Sequence, residues 1–83
     1  MKARKDKNRG VEINLNSNES LVFFNWLSNF NDNENAGSYF TVPVEENLLY
    51  DLEAVLEKIL VETFQDNYIE LLDKAKKNVI KNR

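Results

Sequence analysis

The sequence predicts a mainly α-helical fold: a three-helix compact domain with a short N-terminal extended or β segment. Three observations carry this. Apolar residues recur at three- and four-residue spacing in three separate stretches. Cap-type residues stand at the head of each stretch. Strict alternation of apolar and polar residues occurs at Val11-Glu12-Ile13-Asn14-Leu15. Eighty-three residues with 42% apolar content make one domain. A chain this short buries only about two-thirds of its unfolded surface. It has no cysteine for a disulfide, so packed side chains, a second copy or a partner must complete the core.

Residues 1–9 hold five cations and few apolar side chains, and are expected to form a flexible basic arm. Residues 10–83 are then the single helical domain. The alternating segment Val11–Leu15 predicts a half-buried strand, which must pair with something. Tyr39-Phe40-Thr41 is one candidate for that pairing.

The first helix is expected over about 18–31. Asn16 and Glu19 have capping-box spacing. Phe23, Trp26, Leu27 and Phe30 follow at i, i+3, i+4 and i+7, with Leu21 and Phe24 beside them. So wide an apolar sector implies contact on more than one side. Asn18, Val22, Asn25 and Asn29 form the opposite face. Residues 31–38 have loop chemistry throughout.

The second helix is expected over about 42–62, with Pro43 in its first turn and Glu45 and Glu46 near its positive end. Leu48, Leu49, Leu52, Val55, Leu56, Ile59 and Leu60 define one face, and Glu46, Glu53 and Glu57 mark the solvent side. Phe64-Gln65-Asp66 predicts a turn. The third helix is expected over about 67–80, with capping-box spacing at Asn67 and Glu70. Tyr68, Leu72, Ala75 and Val79 form its stripe, and Glu70–Lys74 and Asp73–Lys77 are favourable i,i+4 pairs.

Charge is segregated along the chain. Residues 1–9 carry five cations against Asp6. Residues 10–73 carry thirteen acids against Lys58 alone, and residues 74–83 carry five cations. An acidic body between basic ends differs from a dedicated DNA-binding domain, whose folded part carries the basic face. No apolar segment follows the basic start, and the longest apolar run is Leu21-Val22-Phe23-Phe24. The expectation is a soluble, cytoplasmic protein without a membrane role.

Chemistry is narrowly bounded. Histidine and cysteine are both absent, which removes the usual proton shuttles, thiol nucleophiles and transition-metal ligands. Asn31-x-Asn33-x-Asn35 resembles the start of a calcium loop. Its sixth position is Ala36, not Gly, and its twelfth is Val42, not Glu. Glu53 and Glu57 are paired carboxylates at i,i+4, but no Glu-x-x-His motif accompanies them. Two glycines cannot make a phosphate loop. Ser17, Ser20, Ser28 and Ser38 have no histidine base. No catalytic residue, cofactor or metal is assigned, and the chain is expected not to be an enzyme.

Three runs of sequence carry a resemblance: Asn18–Leu27, Leu52–Glu62 and Tyr68–Leu72. Across residues 18–76 the chain resembles a group of small, uncharacterised bacterial helical proteins with no assigned activity. The group has an acid where Asn25 stands, which leaves that position without a role. The resemblance implies a bacterial, helical, compact protein.

The expected function is a non-catalytic protein–protein interaction module, self-associating as a homodimer, with an adaptor or an antitoxin- or immunity-type neutraliser as concrete forms. Candidate interaction residues are Phe23, Phe24, Trp26 and Phe30, since aromatics dominate interface hot spots. Glu46, Glu53, Glu57 and Glu62 are the expected acidic rim. The alternative is a small nucleic-acid-binding regulator using Lys2, Arg4, Lys5, Lys7 and Arg9, with Lys74, Lys77 and Lys81.

Overall fold

The structure, a computed structural model, describes residues 1–60 and 65–81. Five elements follow in order: strand β1 (Lys2–Lys5), strand β2 (Val11–Asn14), and helices α1 (Ser17–Asn31), α2 (Pro43–Ile59) and α3 (Tyr68–Lys81), with a 3-10 turn at Ala36–Tyr39 between α1 and α2. The mainly α expectation with a short N-terminal β segment is what the chain forms. The expected end of the second helix at Glu62, and Phe64 of the expected turn, lie outside the described residues.

The basic segment is not an unstructured arm: its residues Lys2–Lys5 form a strand and the rest makes the turn of a hairpin. β1 pairs antiparallel with β2, with Lys2 opposite Asn14, Ala3 opposite Ile13, Arg4 opposite Glu12 and Lys5 opposite Val11. Asp6 closes the turn. Its Oδ1 accepts the backbone N–H groups of Asn8 and Gly10, each at 2.8 Å. Arg9 takes a left-handed conformation at φ 67° to bring the chain round. Arg4 then reaches Glu12 at 2.6 Å across the ladder. The charge run that suggested an arm thus finds an opposite charge on its own hairpin partner. Tyr39 belongs to the 3-10 turn and does not pair with β2.

α1 begins as expected. Asn16 caps it by accepting the Glu19 N–H at 2.8 Å, and Glu19 returns the contact to the Asn16 N–H at 3.0 Å. The helix lies between the other two and buries two of its faces. Phe24 and Leu27 pack with Leu56 and Leu60, and Phe23 and Leu49 join from the margin. Leu21 packs with Leu72 and Ala75, flanked by Val22, Tyr68 and Leu71. The core is therefore two small clusters on either side of α1. Leu27 at its centre has no exposed surface. Val22 and Asn25, expected on the polar face, turn toward α3 instead. Tyr68 donates its hydroxyl to Asn25 Oδ1 at 3.4 Å.

α2 starts at Pro43, with Val42 as its cap residue. Glu45 closes the start by accepting the N–H groups of Thr41 and Val42. On α3 the Asp73–Lys77 pair forms at 3.5 Å.

Candidate interaction surface

α2 carries two apolar rows. Leu49, Leu56 and Leu60 point toward α1. Val44, Leu48, Leu52, Val55 and Ile59 form a second row, exposed between 38% at Leu52 and 67% at Ile59. At 100° per residue the two rows are centred about 100–120° apart on the helix surface. The sequence pattern merges them into one broad face. Among the described residues α1 is the helix that packs closely on α2, and it covers the inner row. This exposed apolar row is the candidate interaction surface.

The expected acidic solvent face is corrected by the same geometry. Glu53 lies on the inner side, where its Oε1 accepts the Asn31 side-chain N–H at 2.7 Å. The same nitrogen reaches the Leu49 carbonyl at 3.3 Å, and the Tyr50 hydroxyl donates to the Asn31 carbonyl at 3.4 Å. Glu46 is half-buried beside this contact, and Glu57 is exposed. Glu62 lies outside the described residues. The three described acids thus follow one side of α2, but Glu46 and Glu53 are half-buried and only Glu57 is exposed. Exposed charges that do border the outer row are Asp51 and Lys58 on one edge and Glu45, in the first turn, on the other.

The aromatic candidates separate as well. Phe24 is buried in the cluster with Leu27 and is core. Phe23 and Phe30 are half-buried. Trp26 is 55% exposed and stacks on Phe30, with ring centroids 5.2 Å apart. Phe30 also meets Tyr39 at a tilt and Phe40 edge-on, which fixes the 3-10 turn against the end of α1. Trp26, Val22 and Phe23 line a shallow groove of about 300 Å³ with Met1, Glu19 and Val79. Glu19 is occupied there by the Met1 amino group at 3.1 Å and by its capping role.

The basic candidates sit at the periphery. Lys2, Lys5, Lys7 and Arg9 are exposed on the hairpin, while Arg4 is paired with Glu12. Lys74, Lys77 and Lys81 are exposed on α3, with Lys77 tied to Asp73.

Two titrating groups are shifted by their surroundings. Hydrogen bonds from the Thr41 and Val42 N–H groups hold the Glu45 carboxyl below its usual range. Burial against α1 pushes the Tyr68 phenol up. Both are structural: one holds a helix start, the other lies within a helix contact. Among the described residues, no three acidic side chains gather as a metal site, and no helix is long and apolar enough to cross a membrane.

The sequence points to apolar surface of the first two helices as what a second copy or partner would bury, but it does not separate the outer row of α2 from the inner one, and it does not single out Asn31. The signal for the outer row was present: α2 has apolar residues enough for two rows, and a three-helix chain has few partners to cover both. No protein-family model, curated protein or solved structure matches the chain.

Proposed function

We propose that the chain is a non-catalytic protein–protein interaction module that associates with a second copy of itself. The outer row of α2 is the observation that supports this. Val44, Leu48, Leu52, Val55 and Ile59 repeat along one side of a helix about 26 Å long. Covering them removes apolar area from water, the main favourable term in association. A domain with a two-part core gains stability from that cover in the way small scaffolds commonly do. Adaptor and neutraliser roles, of antitoxin or immunity type, fit the same surface. In those the homodimer presents the exposed Trp26 groove to another protein.

A single helix pair offers less than the ~800 Å² per partner of a standard interface. The dimer is accordingly weak, with dissociation in the micromolar range. Light scattering of the purified chain at tens of micromolar tests this. A mass near twice the 9.7 kDa of the chain is expected. A monomer at that concentration contradicts it.

A second proposal, nucleic-acid binding, draws on four exposed hairpin cations, Lys2, Lys5, Lys7 and Arg9, with no ion-pair partner among the described residues. It predicts steeply salt-dependent retention on immobilised DNA or RNA, lost when these four are changed to Gln. Salt-independent behaviour contradicts it.

A further inference from the structure

We infer that two copies pair through α2 in antiparallel orientation, and that Asp51 and Lys58 fix that orientation. This rests on the self-association proposed above and goes on to say how the copies meet. Leu48, Leu52, Val55 and Ile59 follow each other at spacings of four, three and four residues. That is the spacing of a two-helix seam. In an antiparallel pair, Leu48 of one copy lies level with Ile59 of the other, and Leu52 lies level with Val55. All four positions then fall in two kinds of layer, each repeated by the two-fold axis, and no apolar residue of the seam faces a charge. This is the self-complementary arrangement that a two-fold dimer requires.

Charge selects the direction. Asp51 and Lys58 are seven residues apart, so they lie on the same edge of the outer row, about 20° from each other around the helix. Both are exposed, and neither has an ion-pair partner among the described residues. The antiparallel alignment sets Asp51 of each copy near Lys58 of the other, which makes two opposite-charge contacts across the axis. A parallel alignment brings neither contact, because like residues then lie level with one another. The other edge of the row adjoins Leu49 and Leu56, which α1 already covers. Glu45 also borders that second edge, but it lies in the first turn of α2, ahead of Leu48, so the charges flanking the four seam positions are Asp51 and Lys58, which are complementary in one direction.

The experiment compares dissociation constants by sedimentation equilibrium for the wild type, Asp51→Lys, Lys58→Asp, the double swap, and an equimolar mixture of the two single variants. Both sites are exposed, and circular dichroism of each variant checks that its helix content is kept. Each single variant places like charges in both contacts and is expected to associate roughly tenfold more weakly than the wild type. The mixture and the double swap restore opposite charges and are expected to return to near wild-type affinity. A wild-type dimer whose affinity is unmoved by either single variant overturns the antiparallel assignment and leaves self-association standing. A wild-type monomer overturns both and gives the outer row to a different protein partner.

Discussion

Asn31, the last residue of α1, donates its side-chain N–H to Glu53 in the middle of α2 at 2.7 Å. It is the one buried polar residue among the described positions. The carboxylate accepts, so the amide nitrogen must face it, and the same nitrogen also reaches the Leu49 carbonyl. This clasp sets how α2 turns about its own axis. With Glu53 drawn inward, Leu49, Leu56 and Leu60 face α1, and the row from Val44 to Ile59 is left outward.

Asn31→Ala is expected to destabilise the fold by about 1–3 kcal/mol, because it strands the Glu53 carboxylate at a half-buried site. Asn31→Asp is expected to cost more, by setting a second carboxylate against the first. Urea unfolding followed by circular dichroism checks both. Equal stability of Asn31→Asp and wild type would show that the clasp does not hold the helices.

Leu27 is the pivot of the cluster between α1 and α2 and is fully buried. Leu27→Ala is expected to cost about 2–5 kcal/mol. Leu48→Ala, on the outer row, is expected to change monomer stability by less than about 0.5 kcal/mol. Urea midpoints at sub-micromolar concentration separate the two. Comparable losses would mean that the outer row is core.

The hairpin turn depends on Gly10. A methyl group there would meet Asp6 Oδ2 at 2.7 Å. The Asp6 side chain can swing away, but only by releasing the Asn8 and Gly10 N–H groups that it binds. Gly10→Ala is expected to open the hairpin while leaving the helices intact, seen as lost cross-strand NMR contacts between Ala3 and Ile13 with unchanged helical circular dichroism. Arg9→Gly is expected to strengthen the turn by about 0.5–1 kcal/mol, since it removes the left-handed penalty of a side chain.

Glu45 ties the start of α2 to the chain before it. Its carboxyl titrates lower in the folded protein than in the unfolded one. Its contribution is therefore present above the unfolded value of about 4.3 and is lost as pH falls through the folded value. Stability is expected to drop over that acid window, and Glu45→Gln is expected to flatten that part of the profile. Thermal unfolding between neutral and acid pH reads this directly. An unchanged acid limb in Glu45→Gln would assign the loss to other carboxylates.

Much of the fold is legible in local sequence. The Asn16–Glu19 capping box, Pro43 in the first turn of α2, and the stripe of Tyr68, Leu72, Ala75 and Val79 are all short-range signals, and each element forms where they stand. What was not legible depends on contacts far apart in the chain. The basic start looks like an arm until Glu12 is set opposite Arg4 by the hairpin register. Periodicity shows that α2 has a wide apolar face but not which part of it α1 covers. Glu53 reads as a solvent-side acid because its partner, Asn31, lies twenty-two residues away. Phe24 and Trp26, two residues apart on one helix, are indistinguishable as aromatics; only packing makes one core and the other surface.

The central claim is that the outer row of α2 joins two copies of the chain. Sedimentation equilibrium of wild type beside Val55→Glu, at tens of micromolar, tests it most directly. Val55 is exposed in the single chain, so the variant keeps its helices while placing a charge in the middle of the seam. The expected result is a dimer for the wild type and a folded monomer for the variant. A variant that stays dimeric, or a wild type that is monomeric, would contradict the account.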